Sequence, residues 1–235
     1  MSGSPHPLEP TSFDHVALWV SRRDEIAGLL CDHLGMHAID RSERFTLVGA
    51  DVRRGKITLF DAEPPRDPGA LKHIALRVRD LEAAVAALPP DVSIERPVAG
   101  QAFFDFVEGL RFALVEDPGT DLDYDLDHVL LAVSDPQAGL EAFAALGLPA
   151  SEDRLQVAGK EIRLQAGGAP EGDRPLLNHL AVLVPSAAAV ENEVRRMGVE
   201  IDSVVDAANT LAVFVSGPDR IRMEYVEHKP SFSLV

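Results

Sequence analysis

The sequence is poor in cysteine and in long apolar runs. Its single cysteine, Cys31, excludes an intrachain disulfide and fits a reducing compartment such as the cytoplasm. No apolar run reaches the length needed to span a membrane. The stretch MSGSPHPLEP lacks the charged-then-apolar pattern of a secretory signal. We therefore expect a cytoplasmic protein with a flexible leader over residues 1–12.

Positive charge is also scarce, since 22 Lys and Arg residues face 38 Asp and Glu residues and give a net charge of −16. An acidic surface repels phosphate backbones and anionic lipids, so we expect neither nucleic acid nor a membrane as a partner. The expected partner is a small-molecule substrate, because a cleft can carry a local field opposite to that of the whole surface. Self-association into a homodimer stays open.

Four similar strands recur along the 235 residues, and each carries a histidine in its third position. The histidines are separated by 58, 55 and 51 residues, which is the spacing of an internal repeat. The four strands are FDHVALWV with His15, LKHIALRV with His73, LDHVLLAV with His128 and LNHLAVLV with His179.

A helix signal and further β-like runs follow each histidine strand. The expected helix caps are Ser21, Asp80, Asp135 and Ser186. We predict an α+β fold of four βαβββ units, paired into two halves whose curved mixed sheets surround a cup. The acidic linker 116–125 divides an N-terminal half, 13–117, from a C-terminal half, 126–228, and residues 229–235 form a tail.

The histidines suggest a metal site because side chains alternate between the two faces of a strand. Two histidines and a glutamate on adjoining strands suit a divalent ion and leave coordination positions open for substrate. The alternative is that His128 and His179 are core residues and that Glu224 pairs with an arginine. The matched repeat positions favour the metal.

The strand, helix and strand order, with the motifs DHV, KHI, DHV and NHL, resembles the vicinal oxygen chelate superfamily. That superfamily includes glyoxalase I, extradiol dioxygenases and bleomycin resistance proteins. The resemblance implies one divalent ion in the C-terminal half, with His128, His179 and Glu224 as ligands. Aligning KEIRLQ with RIRMEY places Gln165 on Glu224, as a fourth ligand.

The first half fails the same alignment. In the alignment of the last strands, Phe60 occupies the position of Gln165, and Ala113 occupies the position of Glu224. We therefore expect that the metal site of the first half is lost and that His15 and His73 are structural.

Two arginines precede the aligned ligands by two residues. Arg163 and Arg222 would face the same cup and bind an anionic substrate, such as a carboxylate or a phenolate. Ion pairing with Glu161 and with aspartates at the rim is the equal alternative for these arginines.

The resemblance implies two classes of enzyme. Four units with one metallated pair favour, by a small margin, an Fe2+ ring-cleaving (extradiol-type) dioxygenase acting on a small anionic or aromatic oxygenated substrate. Such enzymes carry an acid–base histidine that is missing between His128 and His179. Its absence favours a redox-silent glyoxalase, isomerase or epimerase with Zn2+, Ni2+, Co2+ or Mn2+, in which Gln165 is a ligand and Glu161 or Glu224 is the base.

Glu224 and Gln165 are therefore the candidate catalytic residues. The third class is a non-catalytic small-molecule-binding protein of the bleomycin resistance type, which the intact His–His–Glu set argues against.

Overall fold

The computed structural model describes residues 6–167 and 174–230. It confirms an α+β chain of four units, each opening with a strand that carries one of the four repeated histidines. Residues 1–5 of the predicted leader and 231–235 of the predicted tail lie outside the described residues. Leu8 is fully buried, so this part of the leader packs on the protein instead of being flexible. None of the helices in the described residues is long and apolar enough to cross a membrane.

The first two units follow the predicted order. Unit one comprises β1 (Ser12–Val20), α1 (Arg23–Gly28) with a π-helical extension (Leu29–His33), β2 (His37–Arg41), β3 (Phe45–Gly49) and β4 (Lys56–Asp61). Unit two comprises β5 (Leu71–Val78), α2 (Leu81–Ala87), β6 (Ile94–Glu95), β7 (Gln101–Asp105), a 3-10 turn (Val107–Gly109) and β8 (Arg111–Glu116).

Unit three is shorter than predicted. It comprises β9 (Asp125–Val133), α3 (Pro136–Ala145), β10 (Arg154–Val157) and β11 (Lys160–Ala166). Ala150 forms only an isolated bridge with Leu155 where the other units have a further strand. Unit four comprises β12 (Leu177–Leu183), α4 (Ala187–Met197), β13 (Ile201–Asp206), β14 (Thr210–Ser216), a 3-10 turn (Pro218–Arg220) and β15 (Arg222–His228).

The units pair differently from the prediction. The eight-stranded sheet has the order β13-β14-β15-β12-β1-β4-β3-β2, so it joins unit four to unit one. The seven-stranded sheet has the order β10-β11-β9-β5-β8-β7-β6 and joins unit three to unit two. The predicted halves 13–117 and 126–228 are therefore not the segments that share a sheet. The edge of each first strand offers equivalent hydrogen-bonding groups in every unit, so the repeat itself does not specify which unit is the partner.

Three predicted helix caps are confirmed. The Asp80 side chain accepts a hydrogen bond from the backbone N–H of Ala83, and Asp135 and Ser186 cap α3 and α4 in the same way. Gly198 ends α4 in the left-handed conformation with φ 73°, a backbone angle that glycine adopts without steric cost.

The first helix is capped by another unit instead. The Ser21 hydroxyl makes no cap within the helix, and the Glu108 carboxylate accepts hydrogen bonds from the Ser21 N–H at 2.9 Å and from the Ser21 hydroxyl. The counterpart in the second half is Asp219, which accepts from the Ser134 N–H at 2.6 Å. These contacts tie unit one to unit two and unit three to unit four, although neither pair shares a sheet.

Alternation along β1 separates the core from the histidines. Val16 and Leu18 are fully buried and belong to the main apolar cluster, which the strands share with the helices. The side chains of His15, Ala17 and Trp19 point to the opposite side of the sheet. We call this side of the eight-stranded sheet the histidine face.

Candidate metal centre

Two pairs of histidines form where the first strands of paired units run antiparallel. On the histidine face, β1 and β12 bring His15 Nε2 within 3.1 Å of His179 Nε2. In the other sheet, β5 and β9 bring His73 Nε2 within 2.9 Å of His128 Nε2. Each sheet therefore contains one pair of closely spaced imidazoles.

A carboxylate completes only the pair on the histidine face. Glu224, in β15, is buried with 7% exposure. Its Oε2 lies 2.8 Å from His179 Nε2 and 3.3 Å from His15 Nε2. Among the described residues, His15, His179 and Glu224 are the group of donors that converges closely enough to hold a metal ion.

The spacing of these three atoms fits a divalent cation. Donors that occupy neighbouring positions around an ion at about 2.1 Å lie about 3.0 Å from one another. The observed separations of 3.1, 3.3 and 2.8 Å among His15, His179 and Glu224 agree with that value. Two histidines and one carboxylate on one side of an ion leave its other side open.

The outer nitrogens of both histidines are held by oxygen atoms. The His15 Nδ1–H donates to Asp14 Oδ1 at 2.8 Å, and the His179 Nδ1–H donates to Asn178 Oδ1 at 3.1 Å. These bonds fix the tautomer in which each Nε2 presents its lone pair to the centre.

The protonation states of the donors also suit a metal. Burial lowers the pKa of His179, which keeps its imidazole neutral. Burial opposes ionisation of Glu224, but its contacts with His179 and His15 outweigh that effect and hold the pKa of Glu224 below its usual value. Metal binding needs these two forms, a neutral imidazole and a carboxylate.

The strand register identifies the fourth position of the centre. Glu224 pairs with the residue two positions after His179. The same rule in unit one gives Thr58, which pairs with the residue two positions after His15. Thr58 is buried and lines a cavity of about 110 Å³ together with Glu224. A neutral hydroxyl therefore stands where a second carboxylate or an amide would supply a fourth strong ligand.

The same rule explains the other sheet and corrects our alignment. The residue that pairs with the position two after the histidine is Ala113 in unit two, as predicted, and Arg163 in unit three. Gln165 lies two residues further along β11 and is exposed. The sequence alignment of Gln165 with Glu224 was therefore out of register by two residues.

The predicted ligand set is divided between the two sheets. His179 and Glu224 lie together on the histidine face, whereas His128 and Gln165 lie in β9 and β11 of the seven-stranded sheet. His15, expected to be structural, takes the place that was assigned to His128. The error follows from the pairing of unit four with unit one instead of unit three.

The pair in the seven-stranded sheet has a cation where the metal centre has a carboxylate. Arg163 Nη1 lies 3.3 Å from His128 Nε2, and Arg163 pairs with Glu161 at 2.7 Å. Arg163 was expected to bind substrate beside the metal, but it lies in the other sheet and makes the ion pair that was the alternative. His73 is in this pair, and its burial together with the charges of His128 and nearby arginines lowers its pKa to about 3.

The depressed pKa of His73 predicts a loss of stability in mild acid. The unfolded chain takes up the proton near the ordinary value of 6.5, whereas the folded chain takes it up only near about 3. Between these values the unfolded state binds more protons, so the free energy of unfolding falls as the pH is lowered, by up to about 1.4 kcal/mol per pH unit.

Urea unfolding at pH 7 and pH 5 measures this effect. Carboxylates also contribute in acid, so the relevant quantity is the difference between the wild type and His73→Gln. We expect the wild type to lose about 1–2 kcal/mol more than the variant over this interval. Equal losses in the two proteins would mean that His73 titrates normally in the folded state.

Aromatic side chains border one end of the metal centre. The Trp19 and Phe60 rings lie 5.3 Å apart, and Phe45 and Phe60 lie 5.8 Å apart. On the other side of His179, the Phe214 ring meets the imidazole edge-to-face at 5.2 Å. Trp19, Phe45 and Phe60 are partly exposed, so these rings offer flat apolar surfaces beside the centre.

Arg222 adds a cation to this border. Its guanidinium lies 4.0 Å from the centre of the Phe214 ring and bonds Ser203 Oγ at 2.9 Å and Asp202 Oδ2 at 3.3 Å. Arg222 thus lies on the strand of Glu224 as predicted, and it also makes the expected rim ion pair with an aspartate.

A charged cluster borders the opposite end. The Asp14 carboxylate is 3% exposed and also accepts from Lys56 Nζ at 2.8 Å and from His228 Nε2 at 3.1 Å. Burial opposes ionisation of Asp14, but the hydrogen bonds from His15 and His228 and the charge of Lys56 hold its pKa well below the usual range. Asp14, Lys56 and His228 line the same small cavity as Glu224.

Sequence reasoning missed His15, Thr58 and the Asp14 cluster. The sequence contains no direct signal for them, because the ligand position lies 45 residues after His179 in unit four but 35 residues after His128 in unit three. Only the register of the folded strands shows that Arg163, instead of Gln165, occupies the position equivalent to Glu224. A cation at a ligand position argues against a metal.

Comparison with known proteins gives a family-model match over part of the chain and a likeness of fold. Residues 12–118 match the family model described as the Glyoxalase/Bleomycin resistance protein/Dioxygenase superfamily. No curated protein matches the sequence.

Three solved structures illustrate the similarity of fold. Glyoxalase I from Zea mays is 19% identical with a TM-score of 0.73, over 92% of this chain and 92% of that chain. A presumed dioxygenase from Bacillus subtilis is 16% identical with a TM-score of 0.73, over 94% and 86%. The cppA protein of Streptococcus pneumoniae is 13% identical with a TM-score of 0.61, over 93% and 99%. At these identities the likeness concerns the fold alone.

Proposed function

We propose that this protein is a metal-dependent enzyme, because residues 12–118 match the model of the Glyoxalase/Bleomycin resistance protein/Dioxygenase superfamily and the fold is similar to that of glyoxalase I. Its divalent ion would be held by His15, His179 and Glu224. The substrate is a small molecule that reaches the open side of the ion. Cytoplasmic location and a homodimer stay predictions.

The number of strong ligands favours the oxygenase branch. Because Thr58 stands at the fourth position, the protein supplies two imidazoles and one carboxylate. This facial set is typical of non-haem Fe2+ sites, in which three positions remain for a chelating substrate and dioxygen. Bound Fe2+ would supply the redox chemistry that activation of dioxygen needs. The absence of Gln165 from the centre removes one of the two observations that had favoured the redox-silent class, and the missing acid–base histidine is the other.

The side chains around the centre suit an aromatic, oxygenated substrate. Phe60 and Phe214 flank His179 with ring centroids at 6.4 and 5.2 Å and would contact a flat apolar group. Arg222 lies beyond Phe214 and would favour a substrate with a negative charge. Asp14 and Asn178 hold the outer N–H groups of His15 and His179, which turns the Nε2 atom of each imidazole toward the ion. We therefore propose an extradiol-type, ring-cleaving dioxygenase that acts on a small catecholate-like molecule.

A redox-silent glyoxalase or isomerase is the second candidate. The observation that favours it is the Thr58 hydroxyl, an oxygen on the metal side of the cavity that would act as a weak fourth ligand. In that case Zn2+, Ni2+, Co2+ or Mn2+ would polarise a carbonyl, and Glu224 would be the candidate base. A purely binding role of the bleomycin resistance type is less consistent with three converging ligand atoms.

Metal loading and oxygen uptake distinguish these candidates. Protein purified without oxygen is loaded with Fe2+ and given substituted catechols in an oxygen electrode. In parallel, protein loaded with Zn2+ or Ni2+ is given the hemithioacetal of methylglyoxal and glutathione. We expect oxygen uptake with Fe2+ that is abolished in His179→Ala and retained in the matched variant His128→Ala. Turnover of the hemithioacetal without oxygen uptake would establish the second candidate, and failure to retain any metal would refute the proposal as a whole.

A further inference from the structure

The two histidine ligands have unequal surroundings, although they occupy equivalent places in paired strands. The outer nitrogen of His179 meets a neutral amide oxygen, that of Asn178, at 3.1 Å. The outer nitrogen of His15 meets the carboxylate of Asp14 at 2.8 Å. A carboxylate behind a ligand histidine makes the imidazole a stronger donor, because its negative charge stabilises positive charge on the ring and the ion.

A lysine opposes this effect at the same carboxylate oxygen. Lys56 Nζ lies 2.8 Å from Asp14 Oδ1, the atom that accepts from His15. The Lys56 side chain is 3% exposed, and an unpaired ammonium at such a position would be costly. Lys56 lines the cavity of the centre and pairs in register with His15, so it lies on the strand next to the ligand. The other Asp14 oxygen accepts from His228 at 3.1 Å.

We propose that Asp14 and Lys56 are positioning residues that set the affinity of the metal centre in opposite directions through His15. The inference depends on the proposed metal site. Asp14 strengthens His15 as a donor. Lys56 neutralises part of the negative charge of Asp14 and places a cation close to the ion. Metal binding is therefore weaker than it would be with Asp14 alone behind His15.

The opposing signs distinguish this role from a structural one. A buried ion pair that only supports the fold would lose stability when either partner is removed, and neither loss would tighten metal binding. Under our proposal, removal of Lys56 tightens binding, because the repulsion between its ammonium and a divalent cation disappears. Removal of the Asp14 charge weakens binding, as is usual when the partner of a ligand histidine is lost.

The chain contains a matched control lysine. Lys160 is buried at 6% exposure and pairs with the buried Asp125 at 2.5 Å in the seven-stranded sheet. This pair resembles Lys56–Asp14 in burial and charge, but Asp125 does not hold a histidine of the metal centre. A variant of Lys160 therefore reports the general effect of removing a buried lysine.

Titration with Co2+ tests the proposal, with its dissociation constant measured by chelator competition and its visible spectrum recorded. We expect Lys56→Met to bind Co2+ on the order of 10-fold more tightly than the wild type, and Asp14→Asn to bind roughly 10–100-fold more weakly. Lys160→Met should bind as the wild type does. If Lys56→Met does not fold, the double variant Asp14→Asn/Lys56→Met carries no unbalanced charge and should still bind on the order of 10-fold more tightly than Asp14→Asn alone.

Two outcomes overturn the inference, and they differ in what else they overturn. If the wild type binds Co2+ and His15→Ala does not, but Lys56→Met matches Lys160→Met, the Asp14–Lys56 role is refuted and the metal centre stands. If the wild type itself binds no Co2+, the centre and the inference fall together.

Discussion

His15→Ala should weaken the binding of a divalent ion by more than about 100-fold, because it removes one of three strong ligands and leaves Glu224 with a single imidazole. The matched variant is His73→Ala, at the equivalent place in unit two. It should leave affinity and stoichiometry unchanged, because its pair contains Arg163 instead of a carboxylate. Calorimetric titration of the metal-free proteins with Zn2+ measures both values.

His128→Ala makes this comparison sharper. The sequence alone assigns His128 to the metal and treats His15 as structural, whereas the sheet order gives the reverse assignment. A strong loss of binding in His128→Ala with normal binding in His15→Ala would contradict the centre described here. Circular dichroism of each variant separates loss of a ligand from loss of the fold.

Arg163→Glu should give the protein a second metal ion. The register places residue 163 where Glu224 lies in the other sheet, and its partners His73 and His128 already have Nε2 atoms 2.9 Å apart. Asp127 holds the outer nitrogen of His128 at 2.6 Å, which fixes the tautomer that a metal requires. A carboxylate at this position would complete a second set of two histidines and one acid.

The control is Arg163→Gln, which removes the cation without supplying a carboxylate. We expect two ions per chain in Arg163→Glu and one ion per chain in both the wild type and Arg163→Gln, measured by titration and by elemental analysis. A single ion in Arg163→Glu, in a protein with normal circular dichroism, would show that the pairings β1–β12 and β5–β9 are less alike than their register indicates.

Features that depend on neighbouring residues were predictable from the sequence. Asp80, Asp135 and Ser186 cap their helices through side chains only two or three residues from the N–H groups they accept from. The four histidine strands were also predictable, because the sequence of each strand is recognisable without reference to any other unit. Ser21 is the exception among the caps, because its partner Glu108 belongs to another unit.

The pairing of the units was not predictable in this way. Each histidine strand offers the same hydrogen-bonding edge, so the strand of His179 could pair equally well with the strand of His15 or with that of His128. Gln165 and Arg163 also both face the side of β11 that a ligand must face, since they differ by two residues. Alternation alone therefore could not distinguish a register error of two residues.

The pairing of unit one with unit four also determines the order in which the protein can be completed. His15 and His179 meet across 164 residues of intervening chain, and Glu224 is more distant still. Units two and three share a sheet and are consecutive, so they can associate while the chain is being synthesised, whereas β1 must wait for β12 and β15. A bound ion would link His15 to His179 and Glu224. It would therefore stabilise the contact between distant parts of the chain, whose closure costs the most entropy. Metal uptake is thus expected to be a late event of folding, because the site is complete only after β15 has been made.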